Sequence, residues 1–280
     1  MSESANEVLK IDVDAVLRDR VPRLYRYIPD AVIRWLERFI CQERMNSLLR
    51  ANADREGVDF ARGVLHDLGI SYETSGRLPQ DSRVIIVSNH PLGGLDGLVL
   101  ADFVASHYGR KDIGFVVNDL LNAVKPLQSI FLPVNKFGKQ SRIDARALDE
   151  AFASDRPIIM FPAGLVSRRN DAGLVRDLRW QKMVVNKALE YKRQIIPLHF
   201  DGENSTFFYK FARIRTKLGM KFNIEMICLP GEIFKAEGAR FNLTIGEPIL
   251  PSALRGGKEA REQADELCRA VYRLVNQQWQ

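Results

Sequence analysis

Cysteine and histidine are scarce in this 280-residue chain. Its three cysteines are far apart in the sequence and form no Cys-x-x-Cys pair, so neither a disulfide framework nor a zinc knuckle is expected. They are Cys41, Cys228 and Cys268. Three of the four histidines, His66, His107 and His199, are isolated and show no metal-ligand spacing.

Targeting and membrane-spanning segments are also missing from the sequence. The stretch 1–7 has neither a basic region nor an apolar core and does not resemble a signal peptide. No run approaches the roughly 18 apolar residues that a transmembrane helix needs. The expected location is therefore the cytoplasm, or a membrane surface that the chain does not cross.

Several common catalytic motifs are absent. The sequence contains no Gly-x-Gly-x-x-Gly, no phosphate-loop Gly-Lys-Ser/Thr and no His-Glu-x-x-His. It also has no Gly-x-Ser-x-Gly elbow, so a serine hydrolase of that type is not expected.

What the chain does have is a large apolar content and a modest basic bias. With 46% hydrophobic residues, it can form one large domain, or one domain with a small accessory piece. The 41 basic and 35 acidic residues give a formal net charge of +6. This bias suits anionic lipid, phosphate or nucleic acid equally. Because no recognition motif accompanies it, nucleic acid is not an expected partner.

Hydrophobic periodicity predicts an α/β fold with a mixed, largely parallel sheet flanked by helices, preceded by an N-terminal helical segment. Helical spacing is found at 30–50, with Asp30 as a plausible N-cap, and at 54–67. From residue 70 onward strands and helices alternate. The predicted strands are 70–73, 84–87, 113–117, 130–134, 158–161, 195–200, 221–229 and 241–245; the predicted helices are 97–108, 142–153, 180–191 and 259–275.

The apolar stretch 84–87 runs directly into an Asn-His pair, two glycines and an aspartate. These residues are Asn89, His90, Gly93, Gly94 and Asp96. A strand that ends in such a loop can hold an imidazole at a sheet edge, with a carboxylate behind it to orient the ring for removing a proton from a hydroxyl. Alternatively, His90 merely closes a strand and Asp96 caps the following helix, and both roles of Asp96 can hold together.

A second loop follows the predicted strand 158–161. Pro162 and Gly164 fix an irregular turn, after which Ser167, Arg168 and Arg169 supply hydrogen-bond donors for an anion. The commoner use of such an arginine pair is a solvated basic loop, and this alternative stays open.

Together these loops resemble the conserved blocks of the glycerolipid acyltransferase superfamily, which includes lysophosphatidic acid and glycerol-3-phosphate acyltransferases. The order matches over residues 84–200 and identifies the chain as a divergent bacterial member. The four blocks are Asn89-His90 with Asp96; the segment 129–136, which contains Asn135 and Lys136; Phe161-Pro162-Ala163-Gly164 with Ser167, Arg168 and, further on, Lys182; and the apolar segment 195–198.

The chain departs from the family pattern in three places. Five residues, rather than the usual four, separate His90 from Asp96, and the glycine-containing loop can absorb the extra one. Ala163 replaces a glutamate often linked to acceptor binding, and Asn135 replaces an arginine. These two changes leave the acceptor open between a lysophosphatidic acid and an acylated amino acid.

The resemblance implies an acyltransferase domain at 76–280, after an N-terminal helical segment at 1–75 that could face a membrane or pack on the domain. His90 and Asp96 would be catalytic, and backbone amides near Gly164 could stabilise an oxyanion. The implied substrate-binding residues are Asn89, Asn135, Lys136, Pro162, Gly164, Ser167, Arg168 and Lys182.

The same resemblance implies the partners of the reaction. The acyl donor would be a thioester of acyl carrier protein or coenzyme A, used as a co-substrate, and the acceptor a lyso-lipid. No metal or other cofactor is implied. The expected location is peripheral, on the inner face of the cytoplasmic membrane. The alternative is a non-catalytic lipid-binding protein on the same scaffold.

Overall fold

The protein is described by a computed structural model that covers residues 10–20, 22–118, 124–134, 142–220 and 223–275. Its α-helices are α1 Val13–Arg20, α2 Pro22–Tyr25, α3 Asp30–Phe39, α4 Gln42–Ala51, α5 Gly57–Asp67, α6 Leu95–Tyr108, α7 Arg142–Ala153, α8 Met183–Glu190, α9 Thr206–Lys217, α10 Leu229–Lys235 and α11 Ala260–Arg273. Its strands are β1 Ser71–Ser75, β2 Val84–Ser88, β3 Gly114–Asn118, β4 Phe131–Val134, β5 Ile158–Met160, β6 Arg168–Arg169, β7 Val175–Arg176, β8 Gln194–Asp201 and β9 Arg240–Ile245. Within these residues, no helix combines the length and the apolar character needed to cross a bilayer.

A seven-stranded sheet forms the centre of the molecule, in the order β1-β9-β8-β2-β5-β3-β4. The five strands from β8 to β4 are mutually parallel, whereas β9 runs antiparallel to β8 and β1 runs parallel to β9. The predicted mixed, largely parallel sheet is confirmed. Because β2 and β5 are neighbours in the parallel part, the loops that leave their carboxyl ends emerge side by side at one edge.

Both faces of the sheet are buried, as the alternation of side chains along β2 shows. Val84 and Ile86 belong to an apolar cluster that includes residues of α5 and α6, whereas Ile85 and Val87 belong to a second cluster with α7, α8 and α11. All four side chains are fully buried. Helices therefore cover the sheet on both sides, as expected for parallel strands that read as a continuous apolar run.

The predicted helix at 30–50 is two helices. Cys41, between α3 and α4, has a left-handed backbone with φ of 56°, which breaks the helical path. Pro29, not Asp30, occupies the N-cap of α3, so that prediction was one residue late. Further on, α5 packs on α6 and β1 is hydrogen bonded to β9. The division into two units at residue 75 stays a prediction.

One predicted strand was wrong. The segment 221–229 alternates apolar and polar residues, but Ile224–Cys228 forms a 3₁₀-helix that leads into α10, and residues 221–222 lie outside the described residues. The reason is the ion pairs of Glu225, which is fully buried and lies 2.6 Å from the Arg168 guanidinium and 2.9 Å from that of Arg215. In a strand with one buried face, the alternating polar side chains point to solvent, whereas the polar side chain of Glu225 is buried.

Candidate active site

His90 lies just beyond the carboxyl end of β2, and Phe161 lies just beyond the end of the adjacent β5. Their rings stack with centroids 4.0 Å apart and planes inclined by 19°. The His90 side chain is 14% exposed, so the imidazole is held on one face yet reaches the surface of the loop edge. Strand β2 thus places His90 at the sheet edge, and the ring of Phe161 beyond β5 fixes the plane of its imidazole.

Asp96 contacts the imidazole directly. Its Oδ2 lies 2.9 Å from His90 Nδ1 and also accepts the backbone N–H groups of Leu92 and Gly93, at 2.9 and 3.3 Å. Its Oδ1 accepts those of Gly94 and Gly97, at 3.0 and 2.9 Å. The carboxylate is therefore fully buried but surrounded by donors, a setting that favours the ionised form.

Electrostatics at Asp96 agree with this geometry. Burial alone raises the pKa of the carboxyl, but attraction to His90 and the hydrogen bonds from His90 and the backbone outweigh it, so the pKa is lower than its ordinary value. An ionised Asp96 accepts and cannot donate, which places the imidazole proton on Nδ1. The Nε2 atom then carries the lone pair and is the atom that can take a proton.

The alternative role considered for Asp96, an N-cap of the helix that follows, differs from the structure in position. Gly94 occupies the N-cap, and Asp96 is the second residue of α6. Its side chain nevertheless accepts hydrogen bonds from backbone N–H groups at the start of the helix. A carboxylate near a helix N-terminus is stabilising. The two anticipated roles, supporting the histidine and stabilising the helix start, are both present geometrically.

The longer spacing between His90 and Asp96 is accommodated by Gly93. Its φ is +78°, and a Cβ at this position would lie 2.4 Å from the Val166 side chain and 2.8 Å from that of Leu229. Glycine is required both by the left-handed backbone and by the lack of space. The loop thus closes over five residues and still brings the two side chains into contact.

Asn89 has a structural partner rather than an open face. Its Nδ2 donates to the Phe200 carbonyl at 2.9 Å, and its Oδ1 accepts the Phe200 N–H at 2.7 Å. The amide side chain therefore pairs with the backbone of β8 and anchors the loop before His90. Any contact of Asn89 with substrate stays a prediction.

The second loop is also tied internally. Pro162 is buried and its carbonyl accepts the N–H of Gln181 at 2.9 Å. Gly164 has φ of 65°, and its N–H donates to the Phe161 carbonyl at 2.9 Å. The Gly164 amide is thus engaged within the turn, and an oxyanion role for the amides near Gly164 stays a prediction.

Ser167 and Arg168, predicted to bind the acceptor, have partners within the protein. Ser167 is fully buried and its hydroxyl donates to Asp177 at 2.5 Å. Arg168 donates to Glu225 at 2.6 Å and lies over the ring of Phe208 at 5.3 Å. Burial lowers the pKa of Arg168 from its ordinary value, although Glu225 opposes this. A contact of either residue with the acceptor stays a prediction.

The remaining predicted site residues are less constrained. Lys182 is exposed at the N-cap of α8. Asn135 and Lys136 lie outside the described residues. Ala163, where relatives of the family have glutamate, is buried in the same apolar cluster as Trp180, so a carboxylate there would face an apolar interior.

Two contacts of the site were missed by reasoning from the sequence. Phe161 was noted only as part of a motif, although its ring stacks on His90. Asp177 was not noted at all, yet it accepts the His90 backbone N–H at 3.1 Å. Asp177 belongs to a polar stretch of the sequence, and the available signal was Trp180 three residues later, at the start of the predicted helix 180–191.

Comparison with known proteins adds to this geometry. A family profile described as "Acyltransferase" matches residues 15–278. Two curated relatives, from Bacteroides thetaiotaomicron and Phocaeicola vulgatus, are both named "Lyso-glycine lipid O-acyltransferase". The first is 40% identical over 266 residues, 94% of this chain and 97% of the relative; the second is 39% identical over 271 residues, 96% of each.

A solved structure is also similar. It is the 1-acyl-sn-glycerophosphate (LPA) acyltransferase PlsC from Thermotoga maritima, which aligns with a TM-score of 0.47 and 17% identity and covers 88% of this chain and 97% of that chain.

Proposed function

Because this chain belongs to the acyltransferase family, we propose that it moves a fatty acyl group from an acyl thioester to a hydroxyl of a lyso-lipid, with His90 as general base and Asp96 as its support. The single observation that carries this assignment is the contact of 2.9 Å between His90 Nδ1 and a buried Asp96 carboxylate. This contact leaves Nε2 as the proton acceptor at the edge of the parallel sheet.

The reaction then proceeds by proton removal and acyl transfer. His90 Nε2 takes the proton of the acceptor hydroxyl as its oxygen attacks the thioester carbonyl carbon. The carbon–sulfur bond breaks, the thiolate leaves, and the imidazolium returns the proton to the sulfur. Asp96 stays ionised throughout and stabilises the imidazolium through Nδ1–H. The acyl group passes directly to the acceptor, without a covalent intermediate on the protein.

The acceptor we favour is a lyso-glycine lipid, an acylated amino acid with a free hydroxyl. The names of the two curated relatives support it. So do the departures at Ala163 and Asn135 from the pattern of glycerol phosphate enzymes. The donor stays open between acyl carrier protein and coenzyme A thioesters, and the assay below uses both.

A membrane surface is the expected location of such an acceptor, and α3 and α9 offer an apolar face suited to it. Four rings lie in a row there, of which Trp35 and Phe207 are exposed and Phe39 and Phe211 are partly buried; we call these four residues the aromatic row. Trp35 stacks on Phe39 at 5.1 Å, Phe39 meets Phe207 at 6.2 Å, and Phe207 stacks on Phe211 at 6.0 Å. Trp35 and Phe207 are 56% and 51% exposed.

The surroundings of the aromatic row support the same location. Helix α9 contains four basic residues and no acidic one. Arg213 pairs with Asp171 and Arg215 with the buried Glu225, so the exposed Lys210 and Lys217 supply the positive charge that suits anionic lipid headgroups. A cavity of about 260 Å³ opens beside the row, lined in part by Phe39, Phe207 and Phe234. Close by, the Asn204 side chain donates to the Pro91 carbonyl at 3.0 Å, which links the segment before α9 to the His90 loop.

The experiment that tests the function is an acyl-transfer assay with purified protein. Lyso-glycine lipid and lysophosphatidic acid serve as acceptors, and acyl carrier protein and coenzyme A thioesters as donors. We expect His90→Ala to lower kcat by about 10²- to 10⁴-fold, because general-base catalysis contributes about that much. His66→Ala is the matched control, since His66 also lies beside an aspartate, Asp67, but is exposed.

The outcomes separate the two candidate functions. Transfer by the wild type that His90→Ala abolishes and His66→Ala leaves unchanged supports the enzyme and identifies donor and acceptor. Binding of lyso-lipid with no transfer from either donor would instead support the non-catalytic lipid-binding protein.

A further inference from the structure

Asp177 connects the two loops that form the candidate site. It directly follows β7, and its Oδ1 lies 3.1 Å from the backbone nitrogen of His90 and 2.5 Å from the hydroxyl of Ser167. Its Oδ2 accepts the indole N–H of Trp180 at 2.8 Å. One carboxylate thus accepts from the first loop, from the second loop and from a fully buried side chain at the start of the segment leading to α8.

The peptide groups on both sides of His90 are held by this arrangement. While Asp177 accepts the His90 N–H, the Ser167 N–H donates to the His90 carbonyl at 2.8 Å. The residues between β2 and α6 form neither helix nor strand, and two of them are glycines. Asn89 anchors the loop before His90 and Asp96 accepts the amides after it, whereas the N–H and the carbonyl of His90 itself are held by Asp177 and Ser167.

Asp177 is itself anchored. Its backbone N–H donates to the hydroxyl of Tyr272 on α11 at 2.7 Å. Burial raises the pKa of the Asp177 carboxyl, although hydrogen bonds from Ser167, His90 and Trp180 act in the opposite direction. Keeping a carboxylate in such a place is costly unless its partners are satisfied, and here each oxygen has a donor.

We propose that Asp177 is a positioning residue for the reaction, which holds the His90 backbone so that the imidazole meets Asp96 on one side and the acceptor hydroxyl on the other. This inference rests on the proposed function. The turn after β7 thus supplies one carboxylate to both loops from a distant part of the chain.

The consequence for the reaction is geometric. A shift of about 1 Å in a reacting group can reduce the rate by about 10²-fold, even when binding is unaffected. The expected effect of Asp177→Ala is therefore a fall in kcat of about 10- to 100-fold, with KM for the acceptor within about twofold of wild type. A residue that binds substrate would instead raise KM.

The test compares Asp177→Ala and Asp177→Asn with the control Asp102→Ala. Asp102 likewise loses several partners on truncation, since it accepts from Arg62, Tyr72 and Ser106, but it belongs to the network between α5, β1 and α6. We expect Asp102→Ala to lower the melting temperature while kcat stays near wild type. Asp177→Asn retains an acceptor for His90 and Ser167 and should restore part of kcat.

A second measurement does not depend on activity. Selective ¹⁵N-histidine labelling gives four backbone amide signals, because the chain has four histidines. We expect hydrogen exchange at the His90 amide to be at least tenfold faster in Asp177→Ala than in wild type, and close to wild type in Asp177→Asn and Asp102→Ala. If Asp177→Ala does not fold, Asp177→Ser takes its place, because its shorter side chain leaves the His90 amide without this acceptor. Unchanged kcat and unchanged exchange in that variant overturn the proposal.

The remaining results are decisive in the same way. Unchanged kcat in a folded Asp177→Ala, a raised KM with unchanged kcat, or a kcat loss equal to that of Asp102→Ala each overturns the positioning role. If the wild type catalyses no transfer, the proposed function fails. Faster exchange of the His90 amide in Asp177→Ala would still show that Asp177 holds the His90 backbone.

Discussion

The histidines of this chain illustrate how environment decides what one residue type can do. His90 has a buried carboxylate on Nδ1 and is partly exposed, which suits reversible proton transfer. His199 is buried on β8, and burial lowers its pKa to about 4, so its ring stays neutral. Its Nδ1 has no hydrogen-bond partner among the described residues, and its ring meets Tyr272 edge-on at 5.6 Å.

At Asp96, the depressed pKa makes stability depend on pH. A carboxylate whose pKa is lowered by folding stabilises the folded protein at every pH above its ordinary pKa of about 4. This contribution is lost as the pH falls through the pKa of the folded state. Asp96→Asn should therefore reduce the free energy of unfolding by about 2 kcal/mol at pH 7, since an amide also presents a donor to backbone N–H groups. The deficit should narrow below about pH 4.

Urea unfolding of both proteins at pH 7 and pH 3 measures this difference. Other carboxyl groups titrate alike in the two proteins, so their contribution cancels. Asp54→Asn, at an exposed position, is the control and should show almost no difference at either pH. A deficit at pH 3 as large as that at pH 7 would contradict an ionised Asp96 in the folded protein.

The contact between His90 and Asp96 was predictable from the sequence, whereas the residues that support it were not. His90 and Asp96 were recognisable because an apolar strand ends at the one histidine followed by glycines and an aspartate. Asp177 was not, because its contact with His90 spans 87 positions and depends on the pairing of β2 with β5. Hydrogen bonds between distant loops leave no local periodicity to read.

Among the elements, those with strong periodicity were predicted well. The predicted helix 142–153 coincides with α7, and the strands that flank the site match β2, β5 and β8 within a few residues. The wrong strand at 221–229 and the break at Cys41 each depart from a regular pattern, for different reasons. In each case tertiary contacts or an unusual backbone angle override a regular local pattern, and neither is visible in sequence.

Arg193 shows how one side chain can join several elements. It is fully buried between α8 and β8, and its guanidinium donates to the carbonyls of Phe152 and Arg156, both at 2.8 Å, and of Val84 at 3.1 Å. It also donates to carbonyls of Ala151 and Ser154. The last carbonyls of α7 lack helical partners, and a cation there interacts favourably with the helix dipole. Burial lowers the pKa of Arg193 to about 10.

Arg193→Lys should therefore destabilise the protein although it conserves the charge. Lysine cannot reproduce the planar fork, so two or more carbonyls would lose their donors, at about 1 to 3 kcal/mol each. Urea unfolding should show a loss of about 3 kcal/mol. Arg146→Lys, on the exposed face of α7, is the control and should change stability by less than about 0.5 kcal/mol. If the two substitutions lowered the free energy of unfolding equally, the hydrogen bonds of Arg193 to the five carbonyls would not be the source of its contribution to stability.

At the scale of the whole molecule, the structure shows where positive charge lies next to exposed apolar surface, which composition alone did not reveal. A net charge of +6 was compatible with several anionic partners. In the structure, the acid-free helix α9 lies beside α3, and their aromatic row adds apolar surface to positive charge. The sequence had pointed to the α3 segment but not to α9, because the two helices meet only in the folded chain.

Binding to vesicles tests this surface as a whole. Replacing Trp35 and Phe207 together by serine removes two half-exposed aromatic groups, each worth about 1 kcal/mol or more when buried in lipid. We expect binding to vesicles containing anionic phosphatidylglycerol to weaken at least tenfold, and binding of wild type to fall at high salt. Transfer from a soluble short-chain thioester to a water-soluble acceptor should persist.

The matched control for that experiment is Leu250→Ser, which removes a side chain that is 55% exposed, in the segment between β9 and α11. Its vesicle binding should equal that of wild type. Since exposed side chains contribute little to folding, both variants should also unfold at the wild-type urea concentration. Equal weakening by the two variants would mean that general surface apolarity, and not the aromatic row, carries the association. Undiminished binding of the double variant would exclude α3 and α9 as the membrane-facing side. A different surface of the protein would then contact the bilayer and set the position of His90 relative to it.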